Sequence, residues 1–148
     1  MDEALIRAWN ELVQPNDVVW HGGDFAIGED SGRIDEIFAR LSGRKHLVLG
    51  NHDGESDAVL TLPWASVSQI ATVAVDDKLV TICHYPMKTW TKAHKGAIHL
   101  FGHMHGEIKG SSSSLDIGVD VWKFRPVSLS EIFDKLRTLP PEPELGII

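Results

Sequence analysis

Apolar positions recur along the chain with two periods. From Asp2 to Val13 the residues Leu5, Trp9, Leu12 and Val13 share one stripe while Glu3, Arg7 and Asn10 lie off it, which predicts an amphipathic helix ending at Pro15-Asn16-Asp17. Ser31 to Leu41 repeats the helical spacing through Ile34, Ile37, Phe38 and Leu41, with Gly43 as a stop. Between and after these segments come short apolar runs that predict strands: Val18 to Trp20, Lys45 to Leu49, Ile98 to Phe101 and Leu115 to Val119. Ser66 to Val75 and Lys78 to Cys83 read as a strand pair joined through Asp76-Asp77. Ser128-Leu129-Ser130-Glu131 is a capping-box pattern and predicts a helix through about Leu139. The proline-rich tail 140–148 is expected to be irregular.

Four of the predicted strands run directly into loops that hold Asp, Asn or His. The loops are Gly23-Asp24, Gly50-Asn51-His52-Asp53, His84, and Gly102-His103-Met104-His105. In layered α/β folds the carboxyl ends of strands are where ligands bind, since a rigid sheet there fixes loops that converge on one point. Taken singly, most of these loops have plain alternatives. Gly-Asp is a common turn, and a lone His84 is ordinary at a strand end. Two histidines at i and i+2 between glycines are harder to dismiss, because both reach one site only on extended or turn backbone.

Order, spacing and flanking strands together resemble the metal-binding motifs of the calcineurin-like metallophosphoesterases. Trp9-Asn10, Gly23-Asp24-Phe25-Ala26 and Ile117-Gly118-Val119-Asp120-Val121 extend the resemblance toward a small stand-alone branch of that family, over nearly the whole chain. The resemblance implies an α/β fold, a layered β-sandwich flanked by helices. It implies hydrolysis of a phosphate mono- or diester by metal-activated water. Asp24 would bridge two metals, Asn51, His84 and His103 would complete one of them, and His105 would serve the other. His52 would contact the substrate or protonate the leaving oxygen, with Asp53 orienting it. The mixed N/O donors suit manganese, iron, zinc or nickel better than calcium.

One family motif has no counterpart. The N-terminal strand ending in Asp-x-His, which supplies two ligands to one metal, is absent from Met1 onward. The expectation is therefore one firmly bound ion and a second that is weak, absent or rescued, with His21, Glu29 or a neighbouring chain as candidates for the rescue. A sheet short of its first strand would expose an edge, and a homodimer could cover it. The alternative function is a degenerate member that binds metal or phosphate with little or no turnover.

Composition narrows the picture further. At 148 residues and 43% hydrophobic content, the chain predicts a single domain, 1–148, with a real core. The single cysteine, Cys83, and the lack of an apolar leader or membrane-length run fit a cytoplasmic protein. A net charge of -7 without a basic stripe argues against a general nucleic-acid binder, although metals can still attract a small-molecule or nucleotide phosphate. Of the eight histidines, His46, His94 and His99 are expected to be structural or solvated, as are the five tryptophans to be core or cleft wall.

Overall fold

A computed structural model describes residues 2–28 and 30–143. The chain folds as a mixed α/β protein with two sheets and four α-helices: α1 (Asp2–Leu12), β1 (Val18–His21), α2 (Ser31–Arg40), β2 (Arg44–Val48), α3 (Asp57–Leu60), β3 (Ser66–Ser68), β4 (Ile70–Val75), β5 (Lys78–Cys83), β6 (Ile98–Phe101), β7 (Ser114–Asp116) and α4 (Leu129–Leu136). One sheet is parallel with strand order β1-β2-β3; the other has order β4-β5-β6-β7. In the second sheet β4 and β5 are antiparallel, while β5, β6 and β7 run parallel. Parallel pairing puts the carboxyl ends of β5, β6 and β7 at one end of their sheet, and those of β1 and β2 at one end of theirs.

The predicted strand from Ser66 to Val75 is in fact two. Ser66–Ser68 pairs with β2 in the first sheet, and Ile70–Val75 pairs with β5 in the second. The chain changes sheets at Gln69, so one extended run ties the two sheets together. The exposed positions switch from Val67 and Gln69 to Ile70, Thr72 and Ala74, so the side-chain alternation changes phase where the chain changes sheets.

Strand β2 shows how the core is divided. Leu47 and Val48 are both fully buried, on opposite faces. Leu47 joins Ile34, Phe38, Val59 and Leu62 beneath α2 and α3, with Phe25 and Trp64 packed alongside. Val48 joins Ala71, Val80, Ile82, Ile98, Leu100 and Leu115 from the second sheet, and Ile132 and Leu136 from α4. Sheet β4-β7 is covered on its other face as well. There His99 is fully buried beside Trp90 and Phe101, its ring accepting Met87 N–H at 3.1 Å and donating from Nδ1 to Thr81 O at 3.0 Å. The segment between β5 and β6 is therefore the cover of that face.

Helix α1 docks through the residues that resembled a family signature. Trp9 Nε1 donates to Ser42 O at 2.9 Å, Asn10 Nδ2 donates to Arg40 O at 2.8 Å, and Asn10 Oδ1 accepts Ser42 N–H at 2.9 Å. These bonds satisfy backbone groups left open at the end of α2. The deepest residues of the α1 region are Ile6 and Val13, while Leu12, expected on the buried stripe, is 49% exposed. Helix α2 starts on Asp30, whose carboxylate accepts Arg33 N–H, and α4 starts on the capping box expected at Ser128 and Glu131. The helix stops at Leu136, short of Leu139, and the last predicted strand is three residues, ending at Asp116. The tail is irregular as far as 143 but held: Ser112 N–H donates to Pro140 O at 2.7 Å, and Ser111 bonds Glu142. Among the described residues no helix is long and apolar enough to cross a membrane.

Candidate metal centre

The ends of β1, β2, β5 and β6 bring Asp24, Asn51, His84 and His103 together. Close approach of the first two loops depends on glycine. A Cβ on Gly23, which sits at φ +106°, would lie 2.7 Å from Gly50 N; one on Gly50 would lie 2.6 Å from Asp24 N. No side chain fits at either position. Asp24 and His103 themselves adopt left-handed backbone, at φ 56° and 66°. Such conformations cost on the order of 1 kcal/mol for a residue with a Cβ and concentrate where geometry serves a site.

His84 is the centre of the cluster. It is 2% exposed, and its Nδ1 lies 2.8 Å from the carbonyl of Gly22. A carbonyl can only accept, so Nδ1 carries the hydrogen and the neutral ring presents a lone pair at Nε2. Facing Nε2 are Asn51 Oδ1 at 3.1 Å and Asp24 Oδ2 at 3.3 Å. Ligand atoms of Asp24, His84 and His103 lie within 4.8 Å of one another. Lone pairs so gathered repel unless a cation sits among them or the ring takes up a second proton. A carboxylate, an amide oxygen and two imidazoles form a donor set suited to a divalent transition ion. The cluster of Asp24, His84 and His103 could thus hold a metal ion, with Asn51 as a further oxygen donor.

Two carboxylates not in the cluster hold its loops in place. Asp53 is fully buried and accepts three backbone N–H groups: Asp24 at 2.6 Å, Gly50 at 2.8 Å and Phe25 at 2.9 Å. This corrects one expectation. Asp53 was expected to orient the ring of His52, but both its oxygens are committed to the backbone of the Asp24 and Asn51 loops. His52 is exposed, and its own N–H donates to Asp24 Oδ1 at 3.0 Å. Asp116, 3% exposed, plays the same part for the last loop, accepting Gly106 N–H at 3.0 Å and Gly118 N–H at 2.8 Å. Sequence reading did not single out Asp116. Its signal was an acid in the apolar run Leu115-Asp116-Ile117.

His105 stands apart from the cluster. Its side chain is 79% exposed and bonds Asp120 Oδ2 at 2.7 Å, and that carboxylate raises the imidazole pKa. Asp120 belongs to the flanking motif Ile117-Gly118-Val119-Asp120-Val121. His21, a candidate for rescuing a second metal, also has another setting. Its Nδ1 accepts Gly23 N–H at 3.2 Å and its ring packs edge-on against Phe25. Burial pushes its pKa down, partly opposed by Asp53 and Asp24. Glu29, the other candidate within the chain, lies outside the described residues. Of the histidines expected to be structural, His46 stacks on Trp20 at 4.3 Å and bonds Ser66 Oγ, and His94 is exposed.

Comparison with known proteins finds relatives that align over most of this chain. No family model matches the chain. It is 27% identical to the gene 66 protein of Mycobacterium phage L5, over 95% of this chain and 83% of the relative. It is 28% identical to the gene 66 protein of Mycobacterium phage D29, over 82% and 76%. An uncharacterized protein of Methanocaldococcus jannaschii is 24% identical, over 89% and 73%. The crystal structure of a protein of unknown function from Aquifex aeolicus superposes with a TM-score of 0.70 at 22% identity, covering 91% of this chain and 84% of that one, and this likeness shows a shared fold.

Proposed function

We propose that this chain is a metal-dependent phosphoesterase of the calcineurin-like type, acting on a phosphate mono- or diester. The observation that carries the reading is the convergence on His84: a buried imidazole, its tautomer set by Gly22 O, presents Nε2 to Asn51 Oδ1 and Asp24 Oδ2 beside His103. Asp24, Asn51, His84 and His103 would hold one divalent ion. Such an ion supplies Lewis-acid polarisation of a phosphoryl oxygen and lowers the pKa of water. The protein's own share is to keep these donors fixed. Asp53 and Asp116 do so by tying the loops down, which limits the reorganisation needed when charge develops on a substrate. His52, exposed on the loop next to Asn51, is the side chain best placed in sequence to contact a phosphate. It does so without the carboxylate partner expected for it.

A second reading rests on His105. Its bond to Asp120, and the absence of a second three-residue cluster among the described residues, favour a protein that binds one metal with little turnover. The two readings separate by experiment. Metal content is measured by mass spectrometry after dialysis against manganese, iron, zinc or nickel, alongside hydrolysis of an aryl phosphate monoester and diester. The phosphoesterase reading expects about one ion per chain, lost in His84→Ala and His103→Ala, and hydrolysis that falls in His52→Ala. Metal retained without hydrolysis under any ion supports the binding reading, and no retained metal sinks both.

A further inference from the structure

Neither the core nor the metal donors account for Tyr85. It follows His84 directly and is 44% exposed. Its ring stands edge-on to both cluster histidines, with centroids 5.1 Å from His84 and 4.9 Å from His103. Pro86 restricts the preceding residue to extended backbone, so the Tyr85 ring is presented from a stiff segment. A preset aromatic loses little entropy when something stacks on it. Lys88, three residues further along the same segment, is exposed.

An exposed aromatic beside a cluster that could hold a metal ion matches a ligand that joins a planar ring to a phosphate. We infer that Tyr85 is a specificity residue, stacking the base of a nucleotide whose phosphate lies at the Asp24, His84 and His103 cluster. This rests on the metal-site reading and adds to it the class of substrate. Stacking of a base on a protein aromatic changes affinity by roughly 5- to 100-fold. Aliphatic phosphates would lack that gain.

The test uses the full chain loaded with manganese and titrates adenosine 5′-monophosphate and ribose 5-phosphate by calorimetry. The proteins are the wild type, Tyr85→Phe and Tyr85→Leu. The expected result is a preference for the nucleotide of roughly 5- to 100-fold in the wild type, kept by Tyr85→Phe and reduced to near parity by Tyr85→Leu. Equal binding of the two ligands by the wild type would overturn the inference while leaving the metal-site reading standing, as would a preference that survives in Tyr85→Leu. Binding of neither ligand to protein that has taken up manganese would overturn the phosphate-site reading and this inference with it.

Discussion

Replacing Asp53 with alanine tests whether this carboxylate braces the site or takes part in chemistry. The side chain is fully buried and holds three N–H groups at 2.6, 2.8 and 2.9 Å. Truncation leaves those donors facing an empty volume. Each unsatisfied buried donor costs about 1–3 kcal/mol, and some relaxation or water entry reduces the sum, so a loss of about 3–6 kcal/mol is expected. A domain of this size has about 5–15 kcal/mol in total, so the variant should be severely weakened. Asp53→Asn keeps the shape and one acceptor oxygen but turns an NH2 toward a backbone donor; a loss of about 2–4 kcal/mol follows. Both are measured on metal-free protein by urea denaturation followed through tryptophan fluorescence, which keeps ligand linkage out of the comparison. With a slope of about 1–3 kcal/mol per molar urea, a 3 kcal/mol loss lowers the midpoint by about 1–3 M. The reasoning is refuted if both variants unfold within about 1 kcal/mol of wild type, and if hydrolysis is nevertheless lost, Asp53 acts on substrate chemistry after all.

Metal binding should itself be visible in stability: at an ion concentration 100 times Kd the fold gains about 2.7 kcal/mol, a Tm rise of roughly 5–10 °C, which His84→Ala should abolish in a thermal scan. Ser128→Ala removes the cap that accepts Glu131 N–H at 3.2 Å and should cost about 1 kcal/mol by denaturant titration, whereas Ser130→Ala, outside the cap, should cost much less. Arg125 and the Ser128 backbone hold the Glu131 carboxyl down at about 2. Its contribution is present above the unfolded carboxylate pKa and lost as pH falls toward 2, so Glu131→Gln should show a shallower acid decline between pH 4.5 and 2. His99 behaves with the same sign at higher pH. Burial lowers its folded pKa, so below about 6.5 the unfolded chain binds the proton first and stability falls with pH. Urea titrations of metal-free protein between pH 7.5 and 5 should give a flatter profile for His99→Gln, and an unchanged profile would show that His99 is not the source.

Much of the architecture was readable because it depends on local period. The spacing of Ile34, Phe38 and Leu41 and the Ser128-Glu131 box follow from the geometry of a helix whatever surrounds it. The strands before Asp24, Asn51 and His103 were likewise visible as short apolar runs ending in polar loops. Errors arose where a local pattern has two tertiary solutions. The run from Ser66 to Val75 holds no glycine or proline to break it, and only the positions of two separate sheets make it change partners at Gln69.

The chain's own sequence determined which residues stand at the ends of strands, and hence that Asp24, Asn51, His84 and His103 are available at one end of the fold. Tertiary structure decided what each polar group does there. Asp53 lies next to His52 in sequence, but the N–H groups of Asp24, Phe25 and Gly50 converge on its carboxylate only once two glycines let the loops touch. His105 lies two residues from His103, yet its left-handed backbone and the nearby Asp120 turn it to a different partner. Hydrophobic period is a property of neighbours along the chain, whereas a carboxylate takes whichever donors the folded loops bring within 3 Å, and those come from residues far apart in sequence.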